Sequence, residues 1–470
     1  MKVEQIYTGC IAHAAYYIEN NGEAAIFDPL REVEPYINRA NKDNAKIKYV
    51  FETHFHADFV SGHLDLASKT GAQIVYGPTA KPGFEAIIAE DNQLFKVGNY
   101  TVKVIHTPGH TMESTTYFLI DENGKEHGII SGDTLFIGDV GRPDLAQHLI
   151  TDLTEEKLAG FLYDSLHTKI LPLSDELIVY PNHGAGSACG KKMSKETTDT
   201  LGNQKKTNYA LNTNLSKEDF IKELLSGLTT PPAYFPKNVI MNISGYDSLD
   251  TVLKRGLTPL TLAEFEKTIN NDSVLILDCR RAEEFANGFI PDSLNIGLES
   301  NFAMWVGELV SDIKQKIVLV CPEGKEEEAI IRLARVGYDQ SIGYLKGGFA
   351  TWKLAGNPYE TVNQISVKTF AEQFNKENSI VIDVRKKSEF DSEHIENAIN
   401  FPLNQLEKNI REMPSKPFYL HCAGGYRSMI AASILKKYGI ENFVDVEGGF
   451  AEIQKTSVPV TEYVCPSTLL

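Results

Sequence analysis

The second half of this chain contains an internal repeat, and this duplication constrains the fold more than any other feature. The apolar run at 274–280 resembles the run at 380–385, and a Glu-Phe pair follows each of them. Cys321 and Cys422 each end another apolar run and lie 101 positions apart, as do the two Gly-Gly-Phe segments that begin at 347 and 448. Each copy alternates strands with helices, which predicts two small doubly wound α/β domains.

The first part of the chain has a different pattern. Residues 1 to about 190 alternate short β-rich runs with turns, and helical stretches at 64–70 and 155–166 separate some of them. The β-rich runs are 24–28, 48–52, 73–76, 100–105, 115–120, 128–131 and 177–180. This pattern predicts an α/β sandwich with functional groups on loops at strand ends. Residues 191 to about 255 are polar and helical and are expected to extend this domain, which predicts domains at 1–255, 256–360 and 361–470.

Composition and charge exclude several classes of protein. A chain of 470 residues exceeds what one hydrophobic core supports, and 42% hydrophobic with 23% charged residues is typical of globular proteins. The net charge of −17 argues against a nucleic-acid or anionic-membrane partner. No apolar stretch reaches the roughly 18 residues that span a bilayer, no signal-peptide pattern is present, and the six cysteines lack paired spacing. We therefore expect a cytoplasmic protein without a membrane partner.

A set of metal-binding residue types follows the predicted strands. Two histidines and an aspartate occupy alternating positions after one strand, namely His54, His56 and Asp58. Phe59 stands where a further histidine would complete a second metal site, and His110 and Asp133 offer two more ligands. Two histidines and one carboxylate with open coordination positions are typical of non-haem Fe(II) oxygenases. The missing ligand favours one metal ion over two, and oxygen chemistry over hydrolysis.

These motifs, with Pro-Asn-His-Gly around His183, together resemble the metallo-β-lactamase fold, an αββα sandwich. The segments Gly-Asp-Thr-Leu-Phe at 132–136 and Gly-Arg-Pro-Asp at 141–144 resemble its persulfide dioxygenase branch. The repeated half resembles rhodanese domains, so the whole layout is similar to a persulfide dioxygenase–rhodanese fusion. This resemblance implies oxidation of a low-molecular-weight thiol persulfide by O2 to sulfite, with sulfur transfer, involving sulfite or thiosulfate, in the rhodanese part.

The resemblance also implies a role for individual residues of the first domain. It assigns one Fe(II) per chain to His54, His110 and Asp133. His56, a metal ligand in hydrolytic relatives, is expected to support the site without binding iron. Asp58 and His183 help to hold the second metal of hydrolases and are expected to line the pocket here. Arg142 is expected either to stabilise an anionic substrate or to form an ion pair with Asp144.

A second chemical motif is the segment Cys-Ala-Gly-Gly-Tyr-Arg-Ser at 422–428, between an apolar strand and an apolar helix. Successive backbone N–H groups at a helix N-terminus stabilise a thiolate and bind an anion. The residues expected to form this cradle are Ala423, Gly424, Gly425 and Tyr426. Arg427 adds a full positive charge, so we predict that Cys422 carries a persulfide as a covalent intermediate. Phosphatases share a Cys-x4-Arg loop, which makes phosphoryl transfer the alternative chemistry, whereas the persulfide-using neighbour favours sulfur.

The other repeat lacks this charge pattern. After Cys321 the sequence places Glu326 at the position that corresponds to Arg427. Negative charge beside the sulfur disfavours a thiolate and repels anionic sulfur donors. The middle domain is therefore predicted to be a degenerate rhodanese that acts as a scaffold or spacer. Two of the remaining cysteines, Cys10 and Cys189, are expected to be buried inert thiols, Cys279 a core residue, and Cys465 exposed.

Two other functions remain open from the sequence. The first is a zinc-dependent, glyoxalase-II-like thioester hydrolase that carries a sulfurtransferase module. The second is a sulfur-binding sensor or carrier that uses only Cys422. The direction of sulfur transfer is also open, because the Cys422 persulfide could feed the iron site or could be taken up by sulfite to give thiosulfate. The sequence identifies neither the thiol that carries the persulfide nor the oligomeric state, and a homo-oligomer is compatible with it.

Overall fold

The computed structural model of the chain describes residues 1–145, 153–228, 230–375 and 377–465. These residues divide into two units. The first consists of Met1–Val252 and Ile331–Asp339, and the second of Leu253–Ile330 and Gln340–Leu470. Among the residues so described, no helix combines the length and the apolar character needed to cross a bilayer.

Two six-stranded sheets form the centre of the first unit. The strands of the first sheet are β1 (Val3–Thr8), β2 (His13–Asn20), β3 (Glu23–Phe27), β4 (Lys46–Phe51), β5 (Gln73–Tyr76) and β6 (Ile87–Ile88). They lie in chain order, with β1 to β3 antiparallel and β3 to β6 parallel. Parallel strands bring their carboxyl ends to the same edge of a sheet, and the loop after β4 begins at that edge.

The strands of the second sheet are β7 (Leu94–Val97), β8 (Tyr100–His106), β9 (Thr115–Ile120), β10 (Glu126–Gly132), β11 (Ile178–Pro181) and β12 (Asp199–Thr200). Their order is β12-β11-β10-β9-β8-β7. Only β10 and β11 pair in parallel within this sheet, and the other described pairs are antiparallel. The predicted β-rich runs therefore form strands of one sheet or the other.

An apolar layer joins the two sheets, because strand side chains alternate between the faces. In β2, Tyr16 and Ile18 point into the layer between the sheets, whereas Tyr17 points to the opposite face. In the inner layer the rings of Phe27 and Phe51 stack with centroids 4.9 Å apart. Full burial of such side chains contributes about 1.5–3 kcal/mol each to folding, so this layer fixes the strand ends that carry the site.

The described residues up to 256 form seven α-helices. They are α1 (Glu34–Lys42), α2 (His63–Thr70), α3 (Glu155–Ser165), α4 (Leu201–Thr207), α5 (Lys217–Leu225), α6 (Phe235–Ser244) and α7 (Leu249–Gly256). Tyr36 of α1 and Leu66 of α2 pack on the outer face of the first sheet. Leu162 of α3 and Phe220 of α5 pack on the outer face of the second. The order helix, sheet, sheet, helix confirms the predicted αββα sandwich.

The second unit contains two five-stranded parallel sheets. The first of them consists of β13 (Pro259–Leu260), β14 (Val274–Asp278), β15 (Leu294–Asn295), β16 (Lys316–Val320) and β17 (Ser341–Leu345), in the order β13-β17-β16-β14-β15. The helices in this stretch of sequence are α8 (Leu262–Ile269), α9 (Ala282–Ala286), α10 (Phe302–Leu309), α11 (Glu326–Arg335) and α12 (Gly348–Leu354).

The last sheet consists of β18 (Gln364–Ile365), β19 (Val381–Asp383), β20 (Ile399–Asn400), β21 (Phe418–His421) and β22 (Phe443–Val446), in the order β18-β22-β21-β19-β20. Its helices are α13 (Val367–Gln373), α14 (Lys387–Ser392), α15 (Leu403–Leu406), α16 (Tyr426–Lys437) and α17 (Gly449–Ile453).

The strand order repeats that of the preceding sheet. In both copies an aspartate at the end of the second strand pairs with the arginine two residues later, at 2.5 Å for Asp278–Arg280 and 2.6 Å for Asp383–Arg385. These matches confirm the predicted duplication.

Candidate metal centre and cysteine loop

The predicted metal ligands of the first unit meet where strands of the two sheets end. His54 lies just after β4, His110 lies in the connection between β8 and β9, and Asp133 directly follows β10. All three residues are buried. Each offers one ligand atom, and these atoms lie within 4.8 Å of one another. The structure therefore brings together the three residues to which the sequence analysis assigned the iron.

The His54 ring is held by the hydroxyl of the preceding residue. Thr53 Oγ1 lies 3.0 Å from His54 Nδ1 and donates its own proton to Asp28 Oδ1 at 3.2 Å. The hydroxyl therefore accepts from Nδ1–H, which leaves the Nε2 lone pair of His54 unprotonated. Burial and the neighbouring His56 lower the pKa of His54 well below its ordinary value, and this also favours the neutral ring.

The His110 ring is held in the same sense, because its Nδ1 donates to the carbonyl oxygen of Arg142 at 2.7 Å. The Nε2 atoms of His54 and His110 then lie 3.9 and 3.5 Å from Asp133 Oδ2. This carboxylate oxygen is buried and has no hydrogen-bond partner. Two nitrogen lone pairs that converge on an unpaired carboxylate oxygen fit a cation bound at about 2.0–2.2 Å from each.

The charge of Asp133 is set by its neighbours. Burial raises the pKa of this carboxyl, but His183 and His110 lower it, and the net direction is downward. The Asp133 carboxylate is therefore ionised, as a candidate metal ligand must be. The donor set of two imidazole nitrogens and one carboxylate suits iron or zinc.

His56 contacts two buried carboxylates. Its Nε2 lies 3.0 Å from Asp28 Oδ1 and 3.3 Å from Glu52 Oε2, while its Nδ1 is buried without a partner. Although burial lowers the pKa of His56, the hydrogen bond and charge of Asp28, together with Glu52, raise it above the ordinary value. The His54 and His56 ring centroids lie 4.2 Å apart. His56 thus forms part of the wall of the site and packs against the candidate ligand His54.

His183 links Asp133 to Asp58. Its Nδ1 lies 2.9 Å from Asp133 Oδ1, and its Nε2 lies 2.9 Å from Asp58 Oδ2. Burial lowers the pKa of His183, but the two carboxylates raise it well above its ordinary value. Phe59 is fully buried beside this pocket, with ring centroids 4.3 Å from both His13 and His56.

Cys189, for which the sequence predicts a buried inert thiol, also lies in this pocket. Asp58, His183 and Cys189 place one ligand atom each within 4.8 Å of one another. Burial raises the pKa of the Cys189 thiol well above its ordinary value, and Asp58 and Asp133 add to this effect. The only signal in the sequence was the position of Cys189 shortly after the Pro-Asn-His-Gly segment.

Arg142 forms the ion pair that was one of its two expected roles. Its Nε and Nη2 donate to the two carboxylate oxygens of Asp144 at 2.6 and 2.5 Å, and both side chains are buried. Its backbone carbonyl holds His110, as described above. Arg142 therefore orders the loop that positions the candidate ligand His110.

The second candidate site is the loop between β21 and α16. Cys422 is buried, and Gly425 donates its backbone N–H to Cys422 Sγ at 3.1 Å. Gly425 has φ 98°, a conformation that side chains rarely tolerate, so the glycine turns its N–H toward the sulfur. Tyr426 donates its hydroxyl to the Gly297 carbonyl at 2.9 Å. Arg427 donates to both oxygens of Glu389, at 2.6 and 2.8 Å.

The Cys321 loop differs in charge, as the sequence predicts. Cys321 is buried after β16, but α11 opens with three glutamates, Glu326, Glu327 and Glu328. Helix α16 opens instead with Tyr426 and Arg427. Acidic side chains suit a helix N-terminus electrostatically, and Lys325 pairs with Glu328 at 2.9 Å.

Three of the other four cysteines agree with their predictions. Cys189 and Cys279 are buried and Cys465 is exposed. The prediction of a buried Cys10 is wrong, because this residue is only partly buried. Cys10 lies in a short 3₁₀ turn, Gly9–Ile11, at a strand end, where the chain cannot cover both sides of the side chain.

Two family models match the chain. Residues 8–183 match the metallo-beta-lactamase superfamily, and residues 261–355 and 366–456 each match the rhodanese-like domain. The crystal structure of a metallo-beta-lactamase from Staphylococcus aureus subsp. aureus COL is 31% identical, with a TM-score of 0.64, and the match covers 74% of this chain and 99% of that one. The crystal structure of ETHE1 from Myxococcus xanthus is 25% identical, with a TM-score of 0.44, and the match covers 52% and 99%.

Two curated relatives each match a little over a third of the chain. A hydroxyacylglutathione hydrolase of Rhizobium etli is 34% identical over 169 residues, which are 35% of this chain and 58% of the relative. A probable hydroxyacylglutathione hydrolase of Schizosaccharomyces pombe is 27% identical over 183 residues, which are 38% and 66%. The chain thus spans less than two thirds of the length of these relatives. Two rhodanese-like domains follow the metallo-β-lactamase fold in the sequence. Because the match to the staphylococcal structure is 31% identical and covers 99% of that chain, this chain belongs to the metallo-β-lactamase superfamily.

Proposed function

We propose that this protein oxidises a low-molecular-weight thiol persulfide with O2 to sulfite at one Fe(II) and transfers sulfur through a persulfide on Cys422. The observation that carries the proposal is the convergence of His54 Nε2, His110 Nε2 and Asp133 Oδ2, the donor set of mononuclear iron oxygenases. Phe59, in place of the histidine that hydrolytic relatives use for a second metal, supports one catalytic ion. The proposed domains are 1–255, 256–360 and 361–470.

The residues of the first site act by holding ligands in place. If His54, His110 and Asp133 held Fe(II), the metal would supply open coordination positions at which a persulfide sulfur and O2 could bind side by side. Thr53 and the Arg142 carbonyl fix the two imidazoles before any metal arrives, so little reorganisation is needed on binding. A persulfide is largely anionic at neutral pH, and the site accordingly needs no general base to prepare its substrate.

Sulfur transfer uses the second site. The Cys422 thiolate attacks the outer sulfur of thiosulfate, the sulfur–sulfur bond breaks, and sulfite leaves with the electron pair, so that Cys422 holds the persulfide. The Gly425 N–H and the charge of Arg427 stabilise the sulfur anion. In the reverse direction, sulfite made by the first site attacks the Cys422 persulfide and leaves as thiosulfate. A reducing compartment such as the cytoplasm keeps Cys422 competent for either direction.

The middle rhodanese-like domain is proposed to be inactive in this chemistry. Helix α11 opens with three glutamates where α16 opens with Tyr426 and Arg427, so we expect an anion to bind less favourably beside Cys321 than beside Cys422. Sulfur donors such as thiosulfate are anions, and they are repelled at this loop.

A second candidate function is zinc-dependent hydrolysis of a thioester, and the names of the curated relatives, hydroxyacylglutathione hydrolases, favour it. One experiment separates the two. The purified protein is loaded with Fe(II) or with Zn²⁺, and O2 uptake is measured on several thiol persulfides beside turnover of a glutathione thioester. We expect O2 uptake and sulfite formation with iron. Thioester turnover with zinc, together with no O2 uptake with iron, would exclude the oxygenase.

A further inference from the structure

A short segment from the sequence of the middle rhodanese-like domain belongs structurally to the metal-binding unit. The family match for that domain spans residues 261–355, yet Ile331–Asp339 group with Met1–Val252. The segment begins in α11, the helix that follows the Cys321 loop, and continues past the end of that helix. The sequence predicts only a scaffold or spacer here, whereas the contacts of this segment indicate a more specific role.

A buried ion pair anchors the segment. Arg31, in the connection between β3 and α1, has no exposed surface, and it donates Nη1 and Nη2 to the two carboxylate oxygens of Asp339 at 2.5 and 2.8 Å. Its Nη1 also donates to the Ala334 carbonyl at 2.9 Å. The guanidinium lies 4.6 Å from the centre of the Tyr246 ring. A guanidinium is stable out of water only where such partners replace its hydration, so loss of Asp339 would leave a buried charge uncompensated.

Arg31 also fixes the strand end that holds a candidate metal ligand. Three residues before it, Asp28 accepts the backbone N–H of Thr53 at 2.7 Å. The Thr53 hydroxyl in turn holds the ring of His54, as described above. A shift of residues 28–31 would therefore move the group that orients His54, and the ion pair of Arg31 opposes such a shift.

The segment contacts the loop between β4 and α2 directly as well. The Val60 N–H donates to the carbonyl of Arg335, the last residue of α11, at 2.7 Å. Asn242 of α6 donates to the carbonyls of His56 and Phe59 in the same loop, at 2.8 Å each. Buried backbone groups outside regular structure need partners of this kind. The loop that begins with the candidate ligands is thus held by two helices, and one of them comes from the rhodanese-like sequence.

We infer that Ile331–Asp339 is a functional part of the metal centre, in which Arg31 and Asp339 are a positioning pair that keeps the loop between β4 and α2 in its metal-binding conformation. The middle domain is then required for metal binding, although it has no sulfur chemistry of its own. This role rests on the metal site of the proposed function, and it is the same whether iron or zinc occupies that site.

Metal affinity tests this role without any turnover. Metal-free full-length protein is titrated with Co²⁺ in competition with a chelator. Asp339→Asn should weaken Co²⁺ binding about 10–100-fold, the loss expected when a partner behind a metal ligand is removed. The matched control is Asp164→Asn, which breaks the exposed pair with Lys217 in the same unit and should leave the affinity unchanged. Wild-type affinity in a folded Asp339→Asn protein would overturn the inference.

Hydrogen exchange of the same metal-free proteins shows where the effect arises. In Asp339→Asn the backbone amides of residues 53–62 should exchange at least about tenfold faster than in wild type, because the loop opens locally. The amides of β8 and β9, which flank His110, should keep their wild-type rates. Unchanged exchange at residues 53–62 would overturn the inference, since the pair would then not hold this loop.

A second variant decides the outcome if Asp339→Asn unfolds the whole unit. Arg335→Met removes the ion pair with Glu32, whose two side chains are 15% and 17% exposed, and leaves the Arg31–Asp339 pair in place. It should weaken Co²⁺ binding about two- to fivefold, the range for a partly exposed ion pair. Wild-type affinity in this variant would then overturn the inference.

The readouts also separate this role from the oxygenase. Co²⁺ binding and amide exchange involve no turnover, so a wild-type protein that takes up no O2 when loaded with iron would refute the oxygenase and leave the role of Ile331–Asp339 intact. Normal O2 uptake together with wild-type metal affinity in the Asp339 and Arg335 variants would refute the role of the segment alone.

Discussion

The two carboxylate oxygens of Asp133 face different partners: Oδ1 lies 2.9 Å from His183 Nδ1, while Oδ2 faces the Nε2 atoms of His54 and His110. The hydrogen bond to His183 fixes the rotation of the carboxylate, and this rotation aims Oδ2 at the two imidazoles. A hydrogen-bonded partner of this kind tunes a metal ligand as well as orienting it. Under the proposed assignment of the metal to His54, His110 and Asp133, His183 would therefore support metal binding by orienting Asp133.

The first prediction concerns this support. Replacing His183 with Ala leaves Asp133 free to rotate, so we expect the affinity for Fe(II) to fall about 10–100-fold. Retention of iron during dialysis against a graded chelator measures the change. The control is His127→Ala, a partly buried histidine on β10 that is outside the ligand trio. Equal iron retention in wild type and His183→Ala would show that Asp133 needs no partner.

The two catalytic parts are expected to be separable by mutation. Cys422→Ser removes the sulfur nucleophile while leaving the His54 site untouched, so persulfide-dependent O2 uptake should continue and thiosulfate:cyanide sulfurtransferase activity should be lost. Cys321→Ser is the matched control and should change neither activity, because the middle loop is acidic. Sulfurtransferase activity that survives in Cys422→Ser would instead assign a function to Cys321.

Much of the fold and of the candidate metal centre could be predicted from the sequence, because both depend on local sequence patterns. The ligand residues follow strands, and the alternation of apolar residues placed those strands within a few positions. The repeat gave the shared strand order of the last two sheets. Phe59 could be recognised as a replacement for the histidine of a second metal site, because its neighbours His54 and His56 fix the register of the motif.

Other features depend on contacts that no local pattern records. Cys189 meets Asp58 across 131 positions of sequence, and only the packing of the two sheets brings them together. Glu389 meets Arg427 because α14 and α16 belong to the same small domain. The prediction that Cys10 is buried was wrong for a related reason, because the exposure of a side chain at a strand end depends on which loop covers that side chain.

The Arg427–Glu389 pair leads to a prediction about substrate affinity. Glu389 neutralises the guanidinium that the cysteine loop presents to anions, and both groups are partly buried. Glu389→Gln should therefore strengthen the positive field at Cys422, and we expect the KM for thiosulfate to fall about two- to tenfold, since a charge interaction at such a site is worth about 0.5–1.5 kcal/mol. Steady-state kinetics with cyanide as the sulfur acceptor measure this KM.

The control for this change is Asp391→Asn, which breaks the exposed pair with Lys387 on the same helix. That variant should leave the KM unchanged. A KM that rises in Glu389→Gln would mean that the glutamate is needed to hold Arg427 in position, and that orientation outweighs charge.

Asp445 provides a prediction about stability and pH. This carboxyl lies in β22 and is buried, and burial raises its pKa to about 6 although Gln364 donates a hydrogen bond to it. An acid whose pKa is higher in the folded than in the unfolded protein favours folding when protonated. Its contribution is fully present below the unfolded pKa, near 3.8, and is lost as the pH rises through about 6.

At neutral pH the folded protein therefore holds an unfavourable buried charge at this position. Asp445→Asn removes that charge, and we expect it to stabilise the C-terminal part of the chain by roughly 1–3 kcal/mol at pH 7.5. The gain should shrink as the pH falls below 6 and vanish near pH 4, since the wild-type carboxyl is then neutral as well. Thermal unfolding of both proteins across this pH range measures the difference, with Asp391→Asn as an exposed control. A gain that is the same at every pH would show that side-chain packing, and not the charge of Asp445, is responsible.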